Sequence, residues 1–422
     1  MKQGIKTIQN LYEELERQRE ARQDLIADTR SLKVNSTNGV TMISVATGDD
    51  VLSYRLGEIA HRQLAERLGI PYKYYERMRA EYPVLLDENV NGWLTKNPEK
   101  RMLRTLDGRL RAFLSDRYRR LDNLELVDHV LPVISQMKGC EVVSADITET
   151  HLYLKVINKT MKTEIVPGDI VQAGFVVSNS EIGLGALKVE PLVYRLICKN
   201  GMISKDYAHK KYHTGRQVED TDNAYELYSD ETLAADDKAY FMKVQDIVSA
   251  AVDEAKFNLT VDKLRSAMKI ETGENPVQTV EVLGDRYILN KLERASILRH
   301  FIMGNDFSHF GLVNAVTRSS QDVADYNRAT ELERIGGTLL DEGVDRAAKK
   351  GLLLLPLLHK NGKADSSLRA VCKILRRIRL WLMSAIIWCG FIAGIKSCSR
   401  ASLTNFVRVT MICMLHISIS CF

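Results

Sequence analysis

The stretch "RMLRTLDGRLRAFLSDRYRRLDN", residues 101–123, predicts a hairpin that leads into a helix. Apolar residues recur on both sides of Asp107-Gly108, a dipeptide that favours a type I′ turn. Strands over Met102–Leu106 and Arg109–Leu114 are therefore expected to pair. Asp122 or Asn123 then stands where a helix N-cap is expected.

The residues after this hairpin have helical periodicity. Val127, Val130, Leu131 and Ile134 follow the three- and four-residue spacing of one buried helix face. A helix from Leu124 to about Met137 is predicted. The hairpin and this helix together form one predicted local unit.

Arginine dominates the hairpin. Residues 101–120 hold seven arginines and no lysine, with Asp107 and Asp116 as the acids. Arginine suits bidentate recognition of phosphate or carboxylate. Alternation along the second strand predicts Arg109 and Arg111 on one face with Phe113. The alternative is that nearby carboxylates pair with these arginines in surface salt bridges of little energetic weight.

A nucleic-acid site is one interpretation of this cluster. In it, six arginines hold phosphates and one tyrosine stacks on a base: Arg104, Arg109, Arg111, Arg117, Arg119, Arg120 and Tyr118.

A second basic segment spans Lys205–Arg216, where cations alternate with Tyr207 and Tyr212. Cations beside aromatics suit phosphate and base contacts, which makes candidates of Lys205, Lys210, Lys211 and Arg216. A solvated loop is the alternative interpretation. His209 and His213 have the spacing of half a metal site, but no third ligand is evident, so no metal is predicted.

Ser178–Gly185, "SNSEIGLG", is the other glycine-rich turn of note. It matches no nucleotide-binding motif and no serine-hydrolase motif. An enzyme whose pocket joins this turn to Cys198, His209 and His213 is the rival function, and an ordinary turn in a sheet is the structural alternative. No cofactor is identified.

The charge of the chain is unevenly distributed. The 422 residues have a formal net charge of +5, but residues 351–422 hold ten Lys/Arg and a single acid, Asp365. Residues 1–350 therefore hold 49 basic and 53 acidic side chains, a net charge of −4. The overall charge therefore gives no argument for nucleic-acid binding, and only local clusters of basic side chains can support it.

The secondary-structure pattern predicts an α+β fold. The predicted parts are a charged amphipathic helix in residues 1–30, an α+β core with an antiparallel sheet in 31–215, a mostly helical region in 216–345 and an atypical tail in 346–422. The first helix is expected to run from Ile5 to Asp28. Asn38-Gly39 predicts another hairpin, and Asp50–Leu68 reads as helical.

The tail differs in character from the body. Residues 380–395 carry no charge, and five of the seven cysteines lie in the last 51 residues. This composition is typical of out-of-frame translation, which predicts a reading-frame break between about 340 and 352. A membrane-associated segment and a buried helix are the alternatives. The scarcity of cysteine in the body and the charged N-terminus predict a cytoplasmic protein without a membrane partner, unless 380–395 is a native segment.

Six segments together carry a resemblance to a known family. In chain order they are "LGIPYKYYERM", "NVNGWL", "RTLDGRLRAFLSDRYRRLDN", "GFVVSNSEIGLGAL", "RLICKNGM" and "HTGR". They resemble the phage- and plasmid-borne proteins of domain of unknown function 932, over residues from about 25 to about 340. The resemblance implies a cytoplasmic protein of a mobile element and supplies no activity or catalytic residues.

The leading prediction is thus a mobile-element protein that binds nucleic acid, with single-stranded DNA during replication or recombination as the expected ligand. The rivals are the enzyme described above and a non-catalytic, homo-oligomeric scaffold built on the charged N-terminal helix.

Overall fold

The computed structural model describes residues 1–4, 7–48, 50–118, 120–204, 210–211, 230–273 and 275–349. For residues 210–211, 230–234, 236–237 and 345–349 it describes the backbone alone. All described residues belong to one compact unit. The predicted tail, including residues 380–395, lies outside them.

Six strands form the first sheet, in the order β1-β5-β6-β4-β3-β2. Neighbours are antiparallel, except that β4 pairs with β6 in parallel. The strands are β1 (Leu25–Asp28), β2 (Leu32–Thr37), β3 (Val40–Thr47), β4 (Asp50–Leu56), β5 (Lys100–Leu106) and β6 (Arg109–Ser115). A short 3-10 turn (Thr29–Ser31) joins the first two.

Both predicted hairpin turns are confirmed. Asn38 and Gly39 have φ of 52° and 76°, and Asp107 and Gly108 have φ of 51° and 69°. Two successive residues with positive φ are what a type I′ turn requires, and Asn, Asp and Gly adopt that conformation most readily.

Three helices cover one face of the first sheet: α2 (Glu58–Arg67), α3 (Tyr72–Glu81) and α4 (Pro83–Lys96). Their apolar side chains, among them Leu64, Tyr75 and Leu86, form one core with Ile43 and Leu103 of the sheet. On the opposite face a smaller cluster covers β5 and β6 only. On β2, β3 and β4, every second side chain points away from the helices, and most of these side chains are exposed.

Helix α4 also protects the edge of the sheet. Asn91 donates to the Val34 carbonyl (2.8 Å) and accepts from the Val34 amide (2.7 Å). Asp87 accepts from the Ser36 amide at 2.7 Å. These side chains satisfy backbone groups on the outer edge of β2, where a further strand would otherwise pair.

The second sheet has the order β11-β10-β9-β8-β7, with β12 also paired to β10. Its strands are β7 (Cys140–Ile147), β8 (Leu152–Glu164), β9 (Ile170–Asn179), β10 (Leu187–Arg195), β11 (Asn200–Ile203) and β12 (Lys210–Lys211). Helices α1 (Ile8–Ala21), α5 (Asn123–Gln136) and α6 (Asp230–Ser249) share a core with one face.

The remaining helices form the C-terminal part of the fold, and some of them cover the other face of the second sheet. They are α7 (Glu254–Ala267), α8 (Pro276–Arg286), α9 (Lys291–Gly304), α10 (His309–Ser319) and α11 (Tyr326–Lys349). Tyr326 of α11 packs with Tyr153 and Val176 of the sheet. A mixed N-terminal part followed by helices confirms the predicted α+β class.

Two predicted elements are wrong. The first helix ends at Ala21, and Leu25–Asp28 is strand β1, because these residues pair with β5. Asp50–Leu56 is strand β4 and the helix begins only at Glu58. Pairing of β4 with β3 and β6 overrides the helical pattern there.

Within the described residues, no helix combines the length and the apolar character needed to cross a membrane.

Buried His61 is expected to make the stability of the fold depend on pH. Its Nδ1 lies 2.7 Å from the Tyr75 hydroxyl, and its side chain is on the buried face of α2. Burial, and then the charge of Arg79, lower the pKa of His61 to about 4, while Glu58 opposes the shift. Between pH 6.5 and 4 the unfolded chain takes up a proton that the folded protein excludes, so stability is lost as the pH falls through this window.

We expect His61 to account for a loss of about 2 to 3 kcal/mol between pH 7 and 4. Chemical denaturation of wild type and His61→Gln at both pH values measures it. The variant should lose less stability than wild type by that amount, and equal losses would contradict the assignment.

Candidate functional site

The arginine hairpin contains a buried cation rather than a row of exposed ones. Arg104 is 2% exposed. Its Nη2 lies 2.6 Å from Asp122 and 3.0 Å from Asp24, and its Nη1 donates to the Glu181 carbonyl at 2.9 Å. Burial opposes the charged form, but Asp122 and Asp24 raise the pKa of Arg104 nevertheless. The prediction that Arg104 holds a phosphate needs correction, because two carboxylates already occupy its guanidinium.

Glu181 is the second member of this junction. Its Oε1 accepts from the Asn123 amide at the start of α5 (2.6 Å), and its Oε2 lies 3.3 Å from Arg111. A carboxylate at a helix N-terminus satisfies an unpaired amide and is stabilised by the helix dipole. Asp122 is the N-cap residue as predicted, but its side chain makes no capping bond; it pairs with Arg104 and Arg22 instead.

A bulge explains why the predicted arginine face does not form. The β5–β6 register shifts between Arg104 and Thr105, so that Ala112 pairs with Arg104 and Leu110 with Thr105. Arg111 is the extra residue. Phe113 consequently joins the helix-covered core at 4% exposure, and Arg111 is turned to Glu181 and to the Glu149 carbonyl (3.3 Å).

Tyr118 is part of the same junction. Its hydroxyl donates to the Ser180 carbonyl at 3.1 Å, and its ring packs beside Leu114 and Ile182. Burial raises the pKa of Tyr118 to about 12. The prediction that Tyr118 stacks on a base is wrong for this arrangement, because both ring and hydroxyl are engaged within the protein.

Two of the distinctive sequence segments therefore lie against each other. "SDRYRRLDN" supplies Tyr118, Asp122 and Asn123, and "SNSEIGLGA" supplies Ser180 and Glu181. Gln63 of α2 adds to the contact, since its Nε2 donates to the Ile182 carbonyl at 2.7 Å. The two segments join the first sheet to the second.

Two arginines do lie side by side on an open surface. Arg55 of β4 pairs in register with Arg109 of β6, so both side chains point to the face opposite the helices, about 4.8 Å apart at the backbone. Both are exposed. Neither guanidinium lies within 4.0 Å of a carboxylate among the described residues. Arg55 was not singled out from the sequence, because a parallel pairing between distant strands leaves no local signal.

The strands beside this pair continue the polar surface. Pairing aligns Arg55 with Met42 and Asn35, and Ser53 with Ser44 and Lys33. We define the open face as these aligned side chains together with Arg109: Lys33, Asn35, Met42, Ser44, Ser53, Arg55 and Arg109. No carboxylate and no aromatic side chain is among them.

The other predicted binding residues are dispersed. Arg117 and Arg120 are exposed beyond the end of β6. Lys210 and Lys211 form strand β12 on the second sheet, paired with Lys188 and Leu187, and their side chains are not described. Arg119, Lys205, Arg216, His209 and His213 lie outside the described residues.

The structure does not assemble the predicted enzyme pocket. The Ser178–Gly185 turn precedes the first residue of β10, Leu187, and Cys198 follows its last residue, Arg195. Eight residue steps of a strand separate these ends by roughly 27 Å. Ser178 and Ser180 are also buried. In the described part of the chain, no group of three or more His, Cys, Asp or Glu side chains is arranged to hold a metal ion.

Comparison with known protein families identifies the family of this chain. A family model described as a domain of unknown function, DUF932, matches residues 112–339, which is more than half of the chain. The chain belongs to the DUF932 family. The match begins within the arginine hairpin and includes both segments of the buried junction. Searches of curated proteins and of solved structures found no significant match.

Proposed function

We propose that this DUF932 protein binds nucleic acid through the open face of its first sheet, by contacts to the sugar-phosphate backbone. The observation that carries the proposal is the Arg55–Arg109 pair. Neither guanidinium has a described carboxylate within 4.0 Å, although a hydrogen bond from Arg79 and, to a lesser degree, the charge of Arg55 lower the pKa of Glu58. The two adjacent guanidinium groups repel each other, and an anion between them removes that repulsion.

The surroundings of the pair support a phosphate ligand. Lys33, Asn35, Ser44 and Ser53 are side chains of the kinds that contact phosphate oxygens. The absence of aromatic side chains from the open face means that base stacking is not available there. Binding is therefore expected to depend on backbone charge and to show little sequence preference.

We further propose that the protein acts on the DNA of a mobile element. The family resemblance suggests a protein carried by a phage or plasmid, and a backbone-binding surface suits DNA handling during replication or recombination. Single-stranded DNA remains the ligand we propose first, with duplex DNA of equal length as the comparison.

Substitution of the pair tests the proposal. We expect Arg55→Ala/Arg109→Ala to weaken binding of a labelled oligonucleotide about tenfold or more, equally for unrelated sequences. Fluorescence anisotropy at fixed salt concentration measures the affinity. The matched control is Arg77→Ala on α3, since Arg77 is also exposed but pairs with Glu81 and lies on the helical side.

Wild-type affinity in Arg77→Ala, together with the loss in the double variant, would support the open face. A double variant that binds as tightly as wild type would exclude it. The same oligonucleotides as single strands and as duplexes show which form is preferred.

A further inference from the structure

A second site lies at the far end of the second sheet, away from the open face. A partly open cavity of about 210 Å³ is lined by the β10–β11 turn, the C-terminal end of α9 and one side of α10. Arg195 and Cys198 line it from the turn, His300 and Met303 from α9, and Arg318 from α10. None of these residues takes part in the proposed nucleic-acid surface.

The turn that forms one wall is held rigidly. Lys199 adopts a φ of 50°. The carbonyl groups of Cys198 and Lys199 accept hydrogen bonds from α10 and from the residues that follow this helix. Arg318 Nη1 donates to the Cys198 carbonyl at 2.7 Å, and Gln321 Nε2 donates to the Lys199 carbonyl at 3.0 Å. Asn200 Nδ2 donates to the Thr317 hydroxyl at 2.6 Å. The cavity is thus largely preformed, as ligand sites usually are.

The polar lining includes Arg195, Arg318 and His300, whose Nε2 lies 2.7 Å from Asp322. Arg195 pairs with Asp169 at 2.7 Å outside the cavity, and its Nη1 lies 3.5 Å from the Cys198 Sγ. Arg318 also lines the cavity, and it makes no ion pair with a carboxylate in the described part of the chain. Asp306 is the acidic residue of the lining, and it accepts a hydrogen bond from the Ser308 amide.

Apolar groups complete the walls. Phe310 lies under Arg195, with the guanidinium carbon 5.2 Å from the ring centroid. Met303 is 75% exposed although it lines the cavity, and Ile197, next to Cys198 in the turn, is 61% exposed. Exposed apolar side chains beside a cavity are typical of ligand-binding grooves.

We propose that this cavity binds a small organic anion, with its carboxylate or phosphate group at Arg318 and its apolar part against Phe310 and Met303. The volume of about 210 Å³ lies below the roughly 300–1,000 Å³ of drug-sized ligand sites, so a ligand as small as a single aromatic ring with its anionic group is expected. Arg195 keeps its ion pair with Asp169 and its contact with the Cys198 thiol.

Cys198 reports occupancy, because its thiol lines the cavity. The probes are benzoate and phenyl phosphate, which share an aromatic ring and differ in the anion, with uncharged benzamide as the control. The rate of iodoacetamide alkylation at Cys198 is followed by peptide mass spectrometry. Cys140, whose thiol lies at the distant β7 strand and whose pKa is raised by burial, is the internal reference.

We expect one or both anions to slow alkylation of Cys198 in a saturable manner, with no change at Cys140 and no effect of benzamide. Arg318→Met should raise the half-protecting concentration about tenfold or more. If Arg318→Met does not fold, Arg318→Lys, which keeps the charge and loses the planar fork, should weaken protection by phenyl phosphate to a smaller degree.

Failure of both anions to protect Cys198 in the wild-type protein would overturn the proposal. Equal protection by benzamide would also overturn it, since charge would then play no part. The relative protection by benzoate and phenyl phosphate decides between a carboxylate and a phosphate ligand.

Discussion

Replacement of Glu333 by glutamine is expected to lower the free energy of unfolding by about 3 to 5 kcal/mol. Glu333 of α11 and Lys155 of β8 are both fully buried, with Nζ and Oε2 2.6 Å apart. Burial lowers the pKa of Lys155, and Glu333 opposes that shift. The glutamine variant leaves an ammonium group in the interior without a counter-charge, or forces it to lose its proton.

The same helix offers a matched control. Asp341 of α11 pairs with Lys263 at the same distance, 2.6 Å, but the two side chains are about one-third exposed. Asp341→Asn should therefore cost about 1 kcal/mol or less. The double variant Lys155→Met/Glu333→Gln removes both charges and should recover much of the loss. Urea denaturation with a common slope measures all three.

A loss below 1 kcal/mol in Glu333→Gln, or no recovery in the double variant, would contradict the importance of this pair. The ring centroid of Tyr326 lies 4.6 Å from the Lys155 Nζ, so the double variant also loses this cation–π contact and its recovery is expected to be incomplete.

Replacement of Arg104 by methionine is the second large effect, also about 3 to 5 kcal/mol. It leaves Asp24 and Asp122 buried with Arg22 as their remaining cation, and it removes the bond to the Glu181 carbonyl. Although burial would raise it, the pKa of Asp122 is lowered by Arg104 and Arg22. Part of that stabilisation is lost with the guanidinium.

Arg109→Met is the control for Arg104→Met, because it lies on the same hairpin and is exposed. It should change stability by no more than about 0.5 kcal/mol. Thermal and urea denaturation compare the two. Equal stability of both variants would show that the buried junction does not hold the two sheets together.

Features that depend on neighbouring residues were predictable from the sequence. Asp107-Gly108 and Asn38-Gly39 specify their turns through their own backbone preferences. Helix α5 was predicted from its periodic apolar face, which packs against the second sheet. The resemblance drawn from short motifs is confirmed by the DUF932 match.

Features that depend on distant contacts were not predictable. The parallel pairing of Arg55 with Arg109 joins strands that are far apart in the chain, so no local sequence pattern predicts it. The bulge at Arg111 changes which residues share a face. Glu181 caps a helix whose first residue, Asn123, lies 58 positions away. Long-range contacts of this kind decide which arginines of the hairpin are buried and which are exposed.

The arginines of the hairpin thus divide into two roles. Arg104 and Arg111 stabilise the junction between the sheets through carboxylates, and Arg109 belongs to the open face with Arg55. Only the second role offers cations to a ligand. The proposal of nucleic-acid binding therefore depends on the open face and not on the number of arginines in the hairpin.

The salt dependence of DNA affinity is the most direct test of that proposal. A plot of log affinity against log salt concentration should be linear, and the slope should be less steep in Arg55→Ala/Arg109→Ala than in wild type. For two phosphate contacts the difference is about 1.4 for single strands and about 1.8 for duplex DNA. Equal slopes in wild type and variant, or wild-type affinity that does not change with salt, would contradict binding at the open face.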